Sequence, residues 1–528
     1  MSLPRFLDRV VDAAAPALGG LERDAVRSKL EGTSVTLVAG ERANDGAGRA
    51  GGLLTANLLA RLYPRIQLEG PQEFVEAAKS EIVLVNPRAD IGPREDKSAA
   101  ALGYETSTVE KASVSVCARG WNAYVDSSVD ESEPAAGPAA LAAAALGVAE
   151  LFRLVFAAQL GDRARKREQR GAFNLITLGP PSFGLAVPDA IDAGTFRLVG
   201  AGAIGQAAAR TLADSGARGT LLAVDHEKVA LSNLQRYVLT RDTDIGAVKV
   251  DLLRERLGTS SVEVVPIAAE WHAGLADEQL PTLVALDSAE ARIGVQASLP
   301  GPIYNAWTQP ADVGWSRHER FGEDPCLACL YWPERQAPSR HEQIAAAFGQ
   351  HPLRVLGYLV QGLPVGLPLP HGGIPVVPGF DLPADADQWL VTPIVDDIAA
   401  AAGVDNGTLA AWRELPLADV YQDGICGGAL LHLGVGEAPR EVLVPLAHQS
   451  VLAGVMLATQ YLVAQVPELA RARAAAVEGR YDVLAGLPQV IGRPRTRTDQ
   501  CLCGDAVFRS VYGEKLGQGA GTGAPQVS

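Results

Sequence analysis

The sequence predicts an α/β fold made of two Rossmann-like domains, and three observations lead to this prediction. The chain has 528 residues, which is long for a single hydrophobic core. Short apolar strands alternate with helices, an order typical of a mostly parallel sheet with helices on both faces. A glycine-rich segment follows the first strand of each half. With 48% hydrophobic and 20% charged residues, disorder of the whole chain is excluded.

The second half begins with the clearest unit of the chain. A predicted strand leads into three glycines with G-x-G-x-x-G spacing, Gly200, Gly202 and Gly205, and a second predicted strand ends at Asp225. The glycines permit close approach of a ligand to backbone N–H groups, and the carboxylate can accept hydrogen bonds from ribose hydroxyls. We therefore predict a nucleotide site. The elements predicted for this half are helices over 204–215, 245–257 and 451–464 and strands over 195–199, 219–224, 262–267, 283–286 and 303–306.

The first half repeats this arrangement in a weaker form. Its glycines lie at 46, 48, 51 and 52, and no clear ribose-binding acid follows its second strand, so we interpret it as a degenerate copy that has lost nucleotide binding. The predicted elements are strands over 35–38, 66–68 and 82–85, helices over 53–62 and 139–160, and a loop over 126–138. The predicted organisation is a domain over 1–175, a linker over 176–194, a domain over 195–513 that includes a crossover segment (333–423) and a cysteine segment (424–450), and a disordered tail over 514–528.

Charge and composition exclude several classes of protein. The net charge is −15, which argues against a partner held by bulk positive charge, such as nucleic acid or an anionic membrane. No segment is expected to span a membrane, because prolines interrupt the uncharged run at 355–380 and polar residues interrupt the run at 442–467. The N-terminus does not resemble a signal peptide, and six cysteines do not make a disulfide scaffold. These features favour a reduced, cytoplasmic setting.

The residues after Asp225 favour a triphosphate over a dinucleotide. Asn233, Arg236 and Lys249 supply an amide and two cations, which a triphosphate needs because further negative charge develops as pyrophosphate leaves. Asp287 ends a later predicted strand, where ligands bind in open α/β sheets, and its carboxylate suits Mg²⁺ beside phosphates. Taken singly, Arg236 fits a surface ion pair, Lys249 a solvated helix position and Asp287 a helix N-cap. Their order along the chain favours the nucleotide site.

In this order the motifs resemble the ThiF/MoeB superfamily, the ubiquitin-activating type of adenylyltransferase. The resemblance covers roughly Phe196 to Cys503, and its motifs are 200–205, Asp225, 232–236, 244–249 and Asp287 with Arg292. It implies two ThiF-type adenylation domains and ATP·Mg²⁺-dependent adenylation of the C-terminal glycine of a ubiquitin-like protein. By the same resemblance, Asp225 would bind the ribose, and Asp287 would place Mg²⁺. The phosphates would be bound by Asn233, Arg236 and Lys249.

Four of the six cysteines form a candidate structural zinc site. Cys326 and Cys329 make a C-x-x-C pair, and Cys501 and Cys503 make a C-x-C pair near the end of the chain. Four thiolates can enclose Zn²⁺ in a closed tetrahedral site with no direct part in catalysis. The C-x-C pair is tighter than the C-x-x-C pairs usual in the family, and the alternative is ordinary buried thiols.

The other two cysteines receive different predictions. Cys117 lies in an alternating run and is expected to be a core strand residue. Cys426 lies in a glycine-flanked segment ahead of a small-residue helix, similar to the position of the cysteine in activating enzymes that form thioesters. We interpret Cys426 as a nucleophile for the acyl-adenylate; the alternative is a small buried cysteine at a turn.

The resemblance also implies partners. Family members often receive an arginine from a neighbouring subunit or half, directed at the γ-phosphate; the candidates are Arg5, Arg9, Arg42 and Arg49. The expected partners are a ubiquitin-like protein and a conjugating enzyme. If the halves pair within one chain, a homodimer is allowed but not required. The alanine- and glycine-rich composition suggests a high-GC bacterium and, by analogy, a conjugation system acting in phage defence.

Three function classes follow from these residues. The first is an activating enzyme that passes the ubiquitin-like protein to Cys426. The second is a sulfur-carrier or peptide-modifying adenylyltransferase, which needs no thioester cysteine. The third is a non-catalytic nucleotide-binding scaffold, against which the presence of Arg236, Lys249 and Asp287 argues.

Overall fold

The computed structural model contains two compact units. The larger unit comprises Met1–Trp332 and Val444–Ser528, and the smaller comprises Pro333–Leu443. The structure describes residues 7–18, 21–92, 100–106, 113–127, 133–161, 171–276, 278–309, 312–331, 340–370, 373, 386–389, 391–402, 404–421, 445–482, 491–492, 495–498 and 501–519.

The first half of the larger unit is built on a seven-stranded mixed sheet of order β3-β2-β1-β4-β5-β6-β7. Strands β1 to β5 pair in parallel, whereas β6 and β7 are antiparallel to their neighbours. The strands are β1 (Ser34–Ala39), β2 (Arg65–Glu69), β3 (Asp90–Ile91), β4 (Ala100–Tyr104), β5 (Val114–Arg119), β6 (Asn122–Val125) and β7 (Gly171–Asn174). The helices are α1 (Leu7–Ala17), α2 (Arg23–Gly32), α3 (Gly46–Leu62), α4 (Gln72–Val85), α5 (Gly137–Val155) and α6 (Ala157–Leu160).

The second half repeats this topology. Its eight-stranded sheet has the order β10-β9-β8-β11-β12-β13-β14-β15, with the first five strands parallel and the rest antiparallel. The strands are β8 (Ile191–Val199), β9 (Ala217–Val224), β10 (Val262–Ile267), β11 (Thr282–Val284), β12 (Ile303–Thr308), β13 (Asp312–His318), β14 (Glu478–Asp482) and β15 (Ile491–Gly492). The helices are α7 (Ala203–Asp214), α8 (Lys249–Leu257), α9 (Ala289–Ala297), α16 (Ala447–Ala464), α17 (Pro467–Ala472) and α18 (Ala506–Gly519).

Two expectations about the first half are wrong. The run 82–85 is not a strand but the last turn of α4, whose apolar residues Phe74, Ala78, Ile82 and Val85 are buried at helical spacing. The glycines from 46 to 52 do not form a loop, because they lie inside α3. The turn that corresponds to the second half's glycine motif comes earlier, at Gly40, where a Cβ atom would lie 1.7 Å from the carbonyl oxygen of Glu105.

The halves differ most between their second strand and the next helix. In the first half only Gly70 and Pro71 separate β2 from α4, whereas residues 225–248 separate β9 from α8. The strand registers match, since Val38 pairs with Glu69 and Leu198 pairs with Ala223. Gly40 and Gly200 come two residues after Val38 and Leu198, so they occupy equivalent positions in the two halves. Pro71 and Asp225 come two residues after Glu69 and Ala223, and they are equivalent in the same way.

One continuous apolar core joins the two halves. Helix α5 of the first half packs against α16 of the second, with the Phe152 and His448 rings 6.0 Å apart. Among the described residues, α5 is the helix long and apolar enough to cross a membrane, but 89% of its most apolar window is buried inside the protein. Helix α16 also packs closely on α7, because a Cβ atom at Gly454 would lie 2.5 Å from that of Ala207.

The smaller unit is helical in its described part and has its own core. Its helices are α10 (Arg340–Phe348), α11 (Pro352–Gln361), α12 (Ala386–Trp389), α13 (Ile394–Ala402), α14 (Asn406–Trp412) and α15 (Leu417–Tyr421). Phe348, Tyr358, Ile398 and Trp412 are among its buried residues. Arg354 is almost fully buried there and forms an ion pair with Asp397.

Candidate functional site

The glycine turn between β8 and α7 can be formed only with glycine at two positions. Gly200 has a φ of +98°, and a Cβ atom there would lie 2.6 Å from the carbonyl oxygen of Ala285. At Gly205 a Cβ atom would lie 2.0 Å from the carbonyl oxygen of Gly200. Gly202 is the N-cap residue of α7, so the first N–H groups of that helix face the turn. This end of the helix favours an anion.

Asp225 follows β9 directly and lies beside this turn. Its Oδ2 atom accepts a hydrogen bond of 2.8 Å from the backbone N–H of Ala201, and its Oδ1 atom accepts one of 2.8 Å from that of Glu227. The carboxylate is half-buried. Each oxygen keeps a second lone pair, so the group can still accept a hydroxyl hydrogen bond.

Lys249 begins α8, four residues later than the helix start predicted from the sequence, and its ammonium group is buried near Asp225. It forms an ion pair with Glu227 and lies 5.2 Å from the centre of the Tyr237 ring. Burial alone would lower the pKa of Lys249, but Tyr237, Asp225 and Glu227 outweigh burial and raise it above its usual range. Lys249 is therefore a buried cation near Asp225, the carboxylate that is hydrogen-bonded to the glycine turn.

Arg236 lies in the loop over 231–241, which crosses from β9 toward α8. Its guanidinium is half-buried, and its Nε atom is buried with no hydrogen-bond partner in the described part of the chain. A buried N–H group without a partner is costly, so the position suits an acceptor such as a phosphate oxygen. Asn233 shapes the start of the same loop, since its Oδ1 atom accepts a hydrogen bond of 2.9 Å from the N–H of Ala230.

Two residues of the site were not predicted from the sequence. Tyr237 links the glycine turn to Lys249, because its hydroxyl lies 3.3 Å from the position that a Cβ atom would take at Gly202. Glu227 is the partner of Lys249. An acidic residue two positions after Asp225 was a visible signal for Glu227, but nothing local distinguishes Tyr237 from a core tyrosine.

Asp287 and Arg292 have different roles in the structure. Asp287 is exposed, three residues past the end of β11, and its neighbour Leu286 contacts the position of a Cβ atom at Gly200 at 3.3 Å. Ser288, and not Asp287, caps α9 by accepting the N–H of Ala291 at 3.1 Å. Arg292 is buried and donates to the carbonyls of Leu286 and Ala306, so it supports the loop that carries Asp287.

The four predicted metal ligands converge. All four sulfur atoms lie within 4.8 Å of one another, and Cys326, Cys329, Cys501 and Cys503 are all buried and free of disulfides. Neighbouring sulfurs are 3.9 Å (326 and 329), 3.6 Å (326 and 501) and 3.4 Å (329 and 503) apart. A zinc ion with Zn–S bonds of about 2.3 Å needs S–S separations of about 3.8 Å, so the cluster can hold zinc.

Other predicted residues are placed as follows. Cys117 lies in β5, as expected, but it is half-buried and not the core residue that the sequence predicted. Cys426 and Arg5 lie outside the described residues, and Arg9 belongs to α1. Arg42 donates to the carbonyl of Glu133 at 3.3 Å, and Arg49 lies 3.5 Å from Glu73, so both are engaged within the first half. That an arginine from the first half or from a neighbouring subunit reaches the γ-phosphate therefore stays a prediction.

Comparison with known proteins finds similarity over the region that contains the glycine turn. Residues 177–349 match the ThiF family. The chain is 30% identical over 540 aligned residues, 98% of each chain, to the uncharacterized protein y4jF of Sinorhizobium fredii. It is 27% identical to the sulfur carrier protein ThiS adenylyltransferase of Escherichia coli, over 44% of this chain and 85% of that protein.

Solved structures of E. coli MccB are also similar. The MccB structure with succinimide is 12% identical, with a TM-score of 0.32, over 58% of this chain and 64% of that chain. The chain belongs to the ThiF family, within the ThiF/MoeB superfamily of adenylyltransferases, as the motifs from Gly200 to Asp287 predicted.

Proposed function

We propose that this protein uses ATP and Mg²⁺ to adenylate the C-terminal carboxylate of a small ubiquitin-like protein. The observation that carries the proposal is the assembly of Asp225, Lys249 and Tyr237 around the glycine turn, with Arg236 in the adjoining loop. A ribose acid and two cations beside a helix N-terminus match a nucleoside triphosphate.

The reaction assigns a role to each residue. An oxygen of the substrate's terminal carboxylate attacks the α-phosphorus of ATP, the bond to the β-phosphate breaks, and pyrophosphate leaves with the electron pair. Arg236 and Lys249 stabilise the charge that gathers on the departing pyrophosphate, and Asn233 donates from its amide to a phosphate oxygen. Asp225 holds the ribose, and the exposed Asp287 holds Mg²⁺.

The first half is proposed to be catalytically inactive. It has no counterpart of the segment 225–248, and Pro71 occupies the place that corresponds to Asp225, so it lacks the ribose acid and both cations. Its role is then to complete the active half within a single chain, as a second subunit does in a homodimer.

We propose that the protein acts in the cytoplasm. Four clustered cysteines that form no disulfides suit this reducing compartment, where ATP is available.

We further propose that the acyl group passes to Cys426. Of the six cysteines, four form the buried cluster and Cys117 belongs to β5, which leaves Cys426 for chemistry. Its thiolate would attack the acyl carbonyl, form a thioester and release AMP, and a conjugating enzyme would then receive the acyl group.

The alternative is an enzyme that stops at the acyl-adenylate and passes it to sulfide or an amine. The observation that favours it is the 27% identity to the ThiS adenylyltransferase of E. coli, a protein named for acting on a sulfur carrier.

One experiment separates these proposals. The purified chain is incubated with ATP, Mg²⁺ and a candidate ubiquitin-like protein encoded beside it, and two quantities are measured: ATP–pyrophosphate exchange, and adducts on a non-reducing gel with and without added thiol. The variants are Cys426→Ala and, as a matched control, Cys117→Ala.

The two outcomes have distinct meanings. A thiol-sensitive adduct that is lost in Cys426→Ala but retained in Cys117→Ala supports the thioester. Exchange that persists in Cys426→Ala, with no adduct in the wild type, supports the adenylate-only enzyme. Substrate-dependent exchange is absent if the protein is a non-catalytic scaffold.

A further inference from the structure

We propose that Arg61 and Asn57 on α3 are positioning residues through which the first half holds the 231–241 loop ready for the phosphates of ATP. This inference rests on the proposed adenylation. Both residues belong to the first half, and they lie more than 170 positions in sequence from the carbonyls that they bind.

The two side chains bind three backbone carbonyls of the loop. Arg61 donates from its two terminal nitrogens to the carbonyls of Leu234 and Thr240, the second at 3.3 Å. Asn57 donates to the carbonyl of Val238 at 3.1 Å, and its own Oδ1 atom accepts from the Nε of Arg61 at 2.9 Å. The bonded carbonyls lie on both sides of Arg236 and Tyr237.

The loop is also held by α7, the helix that follows the glycine turn. The Oε1 atom of Gln206, on α7, accepts hydrogen bonds from the N–H of Leu239 at 3.1 Å and from the hydroxyl of Thr240 at 3.0 Å. Contacts from both halves therefore fix the backbone that carries Arg236. Because its backbone is fixed in this way, Arg236 loses little entropy when it binds a phosphate. Small displacements of such a group lower the rate of the reaction.

A buried arginine between the two halves is unusual unless its side chain positions other groups, as Arg61 does here. Arg61 is 1% exposed and Asn57 is 2% exposed. Glu81 partly balances the charge of Arg61 and accepts from Asn57 at 2.6 Å. An apolar pair would serve packing alone equally well, whereas the three separate nitrogens of a guanidinium can donate to two carbonyls and an amide oxygen that lie apart from one another.

The test uses the full-length chain with Arg61→Lys, which keeps a long basic side chain but has a single terminal nitrogen that cannot reach both carbonyls. The matched control is Arg210→Lys, because Arg210 also joins the halves, by a 3.3 Å bond to the carbonyl of Ala50, without touching the loop. We measure the dissociation constants of ATP and of adenosine by titration calorimetry, and the amide hydrogen exchange of residues 231–241.

The expected result is selective for the phosphates. In Arg61→Lys the ATP dissociation constant rises about ten-fold, which corresponds to the loss of one hydrogen bond to a charged group. Adenosine binding stays within about two-fold, because Asp225 and the glycine turn are untouched. Exchange in 231–241 becomes faster, and Arg210→Lys changes none of these values.

Other results would overturn the inference. If Arg61→Lys binds ATP like the wild type, or loses ATP and adenosine equally, the pair does not position the phosphate-binding loop. Should Arg61→Lys fail to fold, Asn57→Ala removes one bond of the same set and is held to the same criteria. Absence of ATP binding by the wild type would instead reject the proposed function, and this inference with it.

Discussion

Lys249 is the cation on which the proposed chemistry depends most directly. Its side chain is 4% exposed, whereas that of its partner Glu227 is 40% exposed and can be hydrated when left alone. Lys249→Met should therefore leave the fold intact while lowering ATP–pyrophosphate exchange by about 10²-fold, the usual effect of removing one preorganised charge-stabilising group. Exchange kinetics and circular dichroism check both parts.

A matched control and a pH series sharpen this prediction. Lys228→Met removes an exposed lysine from the segment 225–248 that precedes Lys249 and should retain full exchange. Because the pKa of Lys249 is raised, its charge persists to at least about pH 10, so exchange should show no loss from this group below that pH. Equal losses in Lys228→Met and Lys249→Met would show that the effect is not specific to the site.

The burial of His448 predicts how the free energy of unfolding depends on pH. It is buried in α16, and neither ring nitrogen has a hydrogen-bond partner among the described residues. Burial lowers its pKa to about 3, so between about pH 3 and pH 6.5 the unfolded chain binds a proton that the folded chain does not. The free energy of unfolding therefore falls as pH falls through this window, by up to about 1.4 kcal/mol per pH unit from this group.

Denaturant unfolding at several pH values measures this slope. His448→Leu should be less sensitive to acid than the wild type between pH 6.5 and pH 3. The control His272→Gln changes an exposed histidine and should keep the wild-type slope. An unchanged slope in His448→Leu would contradict a neutral, buried His448.

At the scale of secondary structure elements, the sequence predicted what depends on local pattern. The strand at 262–267 and the helix α7 were predicted nearly to the residue. Both depend on patterns within a short stretch of sequence: alternating apolar residues in the strand, and the glycine turn before the helix. The run 82–85 was assigned wrongly, since four apolar residues fit the end of a buried helix as well as a strand. Glycines between 46 and 52 imitate a phosphate loop, yet they serve close packing inside α3, where a Cβ atom at Gly52 would lie 2.6 Å from the Phe74 ring.

The cysteine cluster makes a prediction about the last helix. It ties Cys501 and Cys503, just before α18, to Cys326 and Cys329 after β13, while Lys515 of α18 donates to the carbonyls of Ala276 and Ser298. The purified protein should contain one zinc ion per chain. A chelator or Cys503→Ser should remove the metal, speed proteolysis near residue 500 and lower the Tm by more than about 5 °C.

Cys117→Ser is the control for this experiment, because Cys117 lies in β5, far along the chain from the cluster. It should keep the full metal content. A wild-type protein without metal, prepared under reducing conditions without chelator, would show that the four thiols are ordinary core residues.

For the whole molecule, the sequence predicted two related halves but not how they depend on each other. The bonds from Arg61 and Asn57 to the 231–241 loop, and from Gln460 to the carbonyls of Leu175 and Ile176, join residues that are distant in sequence. Side chains that meet only after both sheets have formed leave no periodic signal. From the sequence alone, Arg61 would therefore be assigned to the exposed surface of a helix, although it is one of the most deeply buried side chains among the described residues.

This shared core predicts that the halves cannot fold apart. Separating the chain between residues 165 and 166 would leave α5 in one fragment and α16 in the other, and each would expose an apolar face that the intact protein buries. The fragments expressed singly should aggregate, whereas co-expressed fragments should purify together and bind ATP. The control is the full chain with a protease site inserted at the same position and cut after folding, which should stay assembled. Two soluble fragments that remain separate would show instead that each half is an independent domain, and that the contacts of α3 with the 231–241 loop are not needed for folding.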